Sequence, residues 1–476
     1  MKKCSLILFM ILCACTLKGQ NCNCANDFRF MTEKVKENYV GYFDKVTAAN
    51  LKRFNHYTDS LQDVAAHSDT HECLFVLRAW LRFFEDLHMN VMIKEDTSNY
   101  DIIRKAFRNA EITDQTNATF AAYLHRNRQH LDSLEGIWED ETKTYQLGIM
   151  KQEHAGVTDF SGFMMKADSI FWFPRQIKMQ VQKTNSHYKV LSFYTRDHSV
   201  AHPTIAVSVN TLNLGLYGIW HKVFPKDSAY HPITQAKYRE PWFKVLDPQH
   251  CLLVMPSFGL AYKPLIDSLI AANKEVLSKT EELIIDVRNN GGGSVLCVEN
   301  LLPYIYTGPI ITTGASVRAT SDNIRDYYAI TDYPNVSDSM KAVFRKEAAE
   351  LQAHVGTFYH LWPGDTLILP TKKQYPARVA VIVNENSASS TELFVLKARQ
   401  SSKVKIYGAH TMGAVDYADV VTSKMPCSIF VLRYPTSCTD RPAAERIDNK
   451  GIQPDVKIDD SITDWVEYVR TADSGK

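Results

Sequence analysis

Apolar residues are spaced in three different ways along this chain, and the spacing divides it. Over residues 27–130 they recur every three or four positions. Phe28, Met31, Val35 and Tyr39 form one such stripe, and Leu74, Leu77, Leu81 and Phe84 form another. This is the period of helices with one buried face, so the stretch is expected to pack as a small helical unit. Over residues 133–240 the period falls to two. Tyr145–Ile149, Ile177–Val181 and Ile205–Val209 alternate, with polar or Gly/Pro-bearing turns between them. Such runs predict an antiparallel β-module. Over residues 245–460 the apolar runs become short and continuous: Leu252–Met255, Leu283–Val287, Val379–Val383 and Val404–Tyr407. A helical pattern spans residues 265–277. Strands buried on both faces and alternating with helices predict an α/β core with mainly parallel pairing.

The first twenty residues follow none of these patterns. Lys2 and Lys3 precede an apolar run from Leu6 to Leu12, and small residues and cysteines follow. This reads as a secretory signal over residues 1–20, too short to span a bilayer stably. Leu12-Cys13-Ala14-Cys15 resembles a bacterial lipobox, which would place a lipid on Cys15 and attach the protein to a membrane there. The rival reading is ordinary cleavage near Gly19-Gln20. Either way the expected location is outside the cytoplasm, in the periplasm or cell envelope. No later stretch reads as transmembrane.

Composition narrows the class without changing the picture. The 476 residues carry 54 basic and 53 acidic side chains, a formal net charge of +1. Without a basic patch or charge run there is no electrostatic footprint for nucleic acid. Length alone suggests about three domains of roughly 150 residues. Of the ten cysteines, cleavage near Gln20 would leave Cys22, Cys24, Cys73, Cys251, Cys297, Cys427 and Cys438. Export permits disulfides, and an odd count leaves at least one thiol free or paired between chains. Cys427 and Cys438 flank a strand-turn pattern and are candidates to pair. Cys22-x-Cys24 is too tightly spaced, and too poor in nearby histidine, for a zinc site.

Two turns have the residue types for acyl-transfer chemistry. Asn289-Asn290-Gly291-Gly292-Gly293 follows a buried strand. Glycines there let backbone N–H groups face a cleft unobstructed, as an oxyanion hole requires. A plain tight turn would read the same way. No Gly-Lys-Ser/Thr ending follows, which argues against a phosphate-binding loop. Asn386-Ser387-Ala388-Ser389-Ser390-Thr391-Glu392 lies between the strand Val379–Val383 and a helix. A serine on such a turn is placed as an exposed nucleophile, although N-capping also favours Ser and Thr there.

Leu283–Gly293, the serine turn and Gly408-Ala409-His410-Thr411-Met412-Gly413, in that order, resemble peptidase family S41. This family includes C-terminal processing proteases and the tricorn core protease. The resemblance covers residues 245–460 and extends more weakly into the helical region. It implies a ClpP/crotonase-like catalytic domain built from ββα units, a peptide or protein substrate, and neither metal nor organic cofactor. The family's nucleophile stands three residues before the acidic residue of its turn, which is Ser389 when that residue is Glu392. The oxyanion donors implied are the N–H groups of Ser390 and Gly292. The family's general-base lysine would fall at position 414, where this chain has Ala414.

Tricorn-like members also lack that lysine and use a histidine from the preceding helical region. Phe83-Phe84-Glu85-Asp86-Leu87-His88 resembles their Asp-x-His signature, so His88 becomes the candidate base. The imidazole suits proton shuttling near neutral pH. Tricorn's serine before that histidine is Leu87 here. Its orienting glutamate falls at Asp448, with Glu445 and Asp86 as alternatives. Gly408, Thr411 and Gly413 are expected to shape the cleft wall, and Asp416 and Tyr417 to lie in a polar strand beside it. The middle module stands where processing proteases carry a PDZ domain. Its opening Gly136-Ile137-Trp138 resembles instead the first strand of a lipocalin-like barrel. The reading is an exported serine peptidase. The alternative is an inactive S41 scaffold that binds an apolar ligand or peptide.

Overall fold

The computed structural model describes residues 22–154, 157–184, 187–203, 205–208, 210–225, 240–328, 338–459, 462 and 464–472. The targeting segment, Cys15 and Val209 lie outside them. Among the described residues no helix is long and apolar enough to cross a membrane.

Six strands form the sheet that carries the two chemical turns. In spatial order they are Trp242–Val245, His250–Val254, Glu282–Asp286, Arg378–Val383, Val404–Gly408 and Val456–Lys457. The first pair is antiparallel and the rest are parallel. Successive side chains of a strand point to opposite faces, which explains the continuous apolar runs. Leu283, Ile285, Val379 and Val381 pack against the helices Lys263–Ala272 and Ser390–Ala398. Leu252, Ile284, Ala380 and Ile382 face the other way, toward Val469 of the helix Trp465–Ala472. The helix expected over 265–277 is divided at Asn273 into Lys263–Ala272 and Lys274–Leu277.

A second sheet ties the ends of the chain together. Its centre is Phe430–Thr439, paired antiparallel with Tyr417–Lys424, with Ala315–Arg318 and with Asn90–Ile93. Asn90–Ile93 comes from the region whose periodicity is helical. Val91, opposite Leu432, is fully buried. Helices Cys24–Asn38, Leu51–His67 and Thr70–Leu81 pack beside this sheet. One continuous core joins Phe28, Leu77 and Trp80 of these helices to Trp138 and Phe160 of the middle module and to Leu432 and Tyr434.

The middle module is a nine-stranded antiparallel sheet running from Val200–Ala201 at one edge to Ala206–Ser208 at the other. Nine flat strands would span about 38 Å. The two edge strands are consecutive in sequence, however, and five peptide steps reach at most about 18 Å. The chain therefore forces the sheet to curl. Among the described residues no ladder joins the two edges, so the described strands form a half-barrel. Trp138 is fully buried, and its indole N–H donates to the Leu134 carbonyl.

The cysteine pairing differs from expectation. Cys427 bonds Cys22, not Cys438, and Cys24 bonds Cys73. Cys251, Cys297 and Cys438 are free thiols. The Cys427–Cys438 suggestion weighed only neighbours in sequence, whereas packing brings the start of the first helix against the turn before Phe430.

Candidate active site

The glycine and serine turns are stitched together at the C-terminal ends of adjacent parallel strands. The Ala388 N–H donates to the Asn290 carbonyl at 3.0 Å, and the Ser387 hydroxyl donates to the Val287 carbonyl at 2.9 Å. Asn384 and Asn386 each donate a side-chain N–H to Asn289 Oδ1 at 3.0 Å. Gly292 and Gly293 have φ of +100° and +140°. A Cβ on Gly292 would lie 2.9 Å from the Ser389 Cβ and 3.1 Å from the Ser390 nitrogen. Glycine there lets the two turns touch. A short 3-10 turn, Val295–Val298, follows the glycines.

Ser389 is half-buried and has φ 58° and ψ −122°. An N-cap residue ordinarily has extended backbone. A positive φ on a non-glycine residue is strained and needs its surroundings to hold it. Glu392 provides that hold. Its fully buried carboxylate accepts from the Ser389 N–H at 3.0 Å, the Thr411 hydroxyl at 2.6 Å, the Gly413 N–H at 2.7 Å and the Ala414 N–H at 2.8 Å. Thr411, Gly413 and Ala414 thereby fix the opposite wall to the serine turn.

Ser390 is the first residue of its helix, so its N–H has no intrahelical acceptor. The Gly292 N–H instead donates to Asn290 Oδ1 at 3.0 Å. Asn290 is fully buried and also donates to the Met255 carbonyl at 2.8 Å.

His88 follows the helix Thr70–Leu81 and precedes the strand Asn90–Ile93. Pairing of that strand with Phe430–Thr439 sets His88 beside the second sheet, within reach of the Tyr417 backbone. Burial and the Arg433 guanidinium hold its pKa below the ordinary histidine value. The charges of Glu392 and Asp448 and a hydrogen bond with the Tyr417 backbone oppose this. Its neighbour Asp86 accepts from the Tyr39 hydroxyl at 2.7 Å and from the His88 N–H at 2.9 Å. The Asp86 carboxylate lies 3.9 Å from His88 Nδ1. Burial pushes Asp86 up to about 6.

Asp448 forms an ion pair with Lys45. Its N–H donates to Asp416 at 2.7 Å, and burial pushes its carboxyl up to about 6. Asn449 donates to the Glu85 carbonyl, which joins the two loops. Asp416 is buried and also pairs with Arg441 at 3.2 Å. Glu445 is exposed on a short 3-10 turn. Asp86 and Asp448 thus both stand in the surroundings of His88, each with a second partner. Lys45, Tyr39 and Asn290 were not singled out from the sequence. Asn290 could have been, since it borders the glycine run, but Lys45 and Tyr39 read only as helix-region residues.

The parallel sheet thus ends in a strained serine turn pressed against a glycine turn. Residues 249–458 match the profile described as Peptidase family S41. An 81-residue stretch is 37% identical to a probable CtpA-like serine protease of Staphylococcus haemolyticus, covering 17% of this chain and 16% of that protein. A 227-residue stretch is 24% identical to an uncharacterised protein of Chlamydia muridarum, covering 40% and 37%. The chain thus spans well under half the length of either curated relative. Mature CPAF complexed with lactacystin aligns over 91% of this chain and 93% of its own, at 13% identity and a TM-score of 0.48. The photosystem II D1 C-terminal processing protease aligns over 92% and 94%, at 13% identity and a TM-score of 0.37.

Proposed function

We propose that this protein is an exported serine peptidase that cleaves peptide bonds through an acyl-enzyme on Ser389. The observation that carries the reading is the conformation of Ser389, held by Glu392 at positive φ against Gly292. A residue used only as a helix cap would not need that strain. In the proposed reaction His88 takes the hydroxyl proton as Ser389 Oγ attacks the peptide carbonyl. The Ser390 N–H receives the developing oxyanion, and the Gly292 N–H joins it by sharing or releasing the Asn290 oxygen. His88 then protonates the leaving amine. Water, deprotonated by His88, releases the acyl group and restores the serine.

The lowered pKa of His88 suits this role, because the neutral imidazole is the base. Asp86 and Asp448 are the carboxylates proposed to orient it and to offset the charge it gains. Two disulfides fit an oxidising compartment. One observation favours the alternative, a non-catalytic scaffold that binds an apolar ligand or peptide: position 414, where the family has its lysine, is a buried alanine.

A fluorophosphonate probe on purified protein, alongside a peptide-library digest, separates the two. Wild type should label and cut. Ser389→Ala should do neither, and His88→Ala should react about 10²–10⁴-fold more slowly. A folded wild type that neither labels nor cleaves any peptide would overturn the peptidase reading.

A further inference from the structure

The concave half-barrel holds a cavity of about 300 Å³ lined by Met164, Trp172, Lys178, Phe193, Tyr217 and Trp220, among others. Trp172 and Phe193 are buried in its depth, and Tyr217 is exposed at its mouth. Nothing in the proposed peptidase chemistry uses it.

Two polar groups in its wall lack suitable partners. Lys178 is buried, at 6% exposure. Its Nζ lies 4.1 Å from the Trp172 ring centre and 4.9 Å from that of Phe193, and makes one long hydrogen bond, 3.3 Å, to the Thr195 carbonyl. Among the described residues no carboxylate lies within 4 Å of it. The nearby acids are committed elsewhere. Asp197 pairs with Arg78 and accepts from Ser199 and Thr195. Asp168 accepts from the Tyr145 hydroxyl and from the N–H groups of Ile170, Phe171 and Trp172. The second group is the Trp172 indole N–H, which is buried with no acceptor. An ammonium held by one long hydrogen bond and two ring faces, and an indole N–H with no acceptor, are both costly to bury.

We propose that this cavity is a binding site for a small amphiphilic monocarboxylate, its head paired with Lys178 and accepting from Trp172, its apolar body among the aromatic walls. At about 30 Å³ per heavy atom, as in liquid water, the space suits a ligand of roughly ten heavy atoms. Asp140, Glu141 and Arg196 also line the cavity; Arg196 is paired with Glu95 at 2.6 Å, and the two carboxylates disfavour a multiply charged anion.

Burial lowers Lys178 to about 7, against the pull of Asp197 and Asp168. The neighbouring His198, stacked on Trp172 at 3.9 Å, is pushed down to about 3 and stays neutral. An anion seated on Lys178 should therefore take up a proton at pH 8.

The test is calorimetric titration of the full exported chain with octanoate and its neutral isostere octanamide. Octanoate should bind at least tenfold more tightly, and at pH 8 its enthalpy should vary with the buffer's own ionisation enthalpy. Lys178→Met should abolish the preference, and Trp172→Phe should weaken octanoate several-fold. Ser389→Ala should leave the affinity unchanged. Loss of octanoate binding in Ser389→Ala would put the ligand in the catalytic cleft and overturn the proposal, whatever the fate of the peptidase reading. Equal binding of the two probes, no binding, or an unchanged preference in Lys178→Met would also overturn it. A diazirine-bearing octanoate mapped on wild type keeps the test decisive if Lys178→Met fails to fold. Labels should fall on half-barrel peptides, and labels elsewhere refute the site.

Discussion

Glu392 shows how one side chain can hold two loops of the candidate site together. It gathers four donors from two loops in a fully buried place. Glu392→Ala leaves those donors without an acceptor, and such groups cost about 1–3 kcal/mol each before relaxation. We expect urea unfolding to show a loss of about 2–4 kcal/mol, with labelling of Ser389 falling further than stability alone explains. An unchanged midpoint would remove Glu392 from this role. His88 gives a pH prediction of definite sign. Its folded pKa lies below the ordinary 6.5, so the acid limb of the labelling rate should fall below pH 6.5. Arg433 contributes to that lowering, so Arg433→Ala should move the limb upward; a limb that stays put would show Arg433 to be irrelevant. The same shift means that the unfolded chain binds more protons at His88. This contribution to stability therefore declines as pH falls through that range.

At the scale of elements, what could be read locally and what could not divide cleanly. The runs Leu283–Val287 and Val379–Val383 proclaim doubly covered strands because each residue meets a helix on one face or the other. The turns after them were legible because glycine and serine have few reasons to cluster at strand ends. Asn90–Ile93 was not legible. Four residues have no period of their own, and this strand exists only because Phe430–Thr439 offers it an edge. The curl of the middle sheet was equally hidden, since alternation gives the two faces of a strand but not the path of the sheet. The Cys22–Cys427 partners and the Lys45–Asp448 pair lie some four hundred residues apart in sequence, beyond any local signal.

The first helix carries its own test. Asp27 is buried, receives the Cys427 N–H at 2.8 Å, and is pushed up to about 6 from an ordinary 3.8. The folded chain therefore holds this proton where the unfolded one has lost it. Its contribution to stability is complete below about pH 4 and is lost as pH rises through about 6. Denaturant midpoints from pH 4 to 7 should fall less steeply in Asp27→Asn than in wild type, and parallel curves would contradict the assignment.

The molecule as a whole does not come apart where its sequence periods change. The parallel sheet has a core of its own, from Cys251 to Ile452. The hairpin that follows the candidate-site loops does not: Tyr417, Val421, Leu432 and Tyr434 belong to the core shared with the N-terminal helices and the half-barrel. Expressed alone, residues 245–459 should therefore aggregate or stay partly unfolded by circular dichroism and size-exclusion chromatography. A cooperative, monomeric fragment would show the shared core to be dispensable.

That shared construction gives the two disulfides a meaning beyond stability. One fastens the beginning of the chain to the turn before Phe430, and the other fastens the first helix to the helix that leads to His88. The serine turn is bonded instead to the glycine turn and to the Thr411–Ala414 loop, neither of which carries a disulfide. A chain still in a thiol-rich compartment would thus have its serine turn formed but the His88 segment loosely moored. On the proposed reading, oxidation acts as a safety catch that arms the hydrolase only after it has left the cell's own proteins behind.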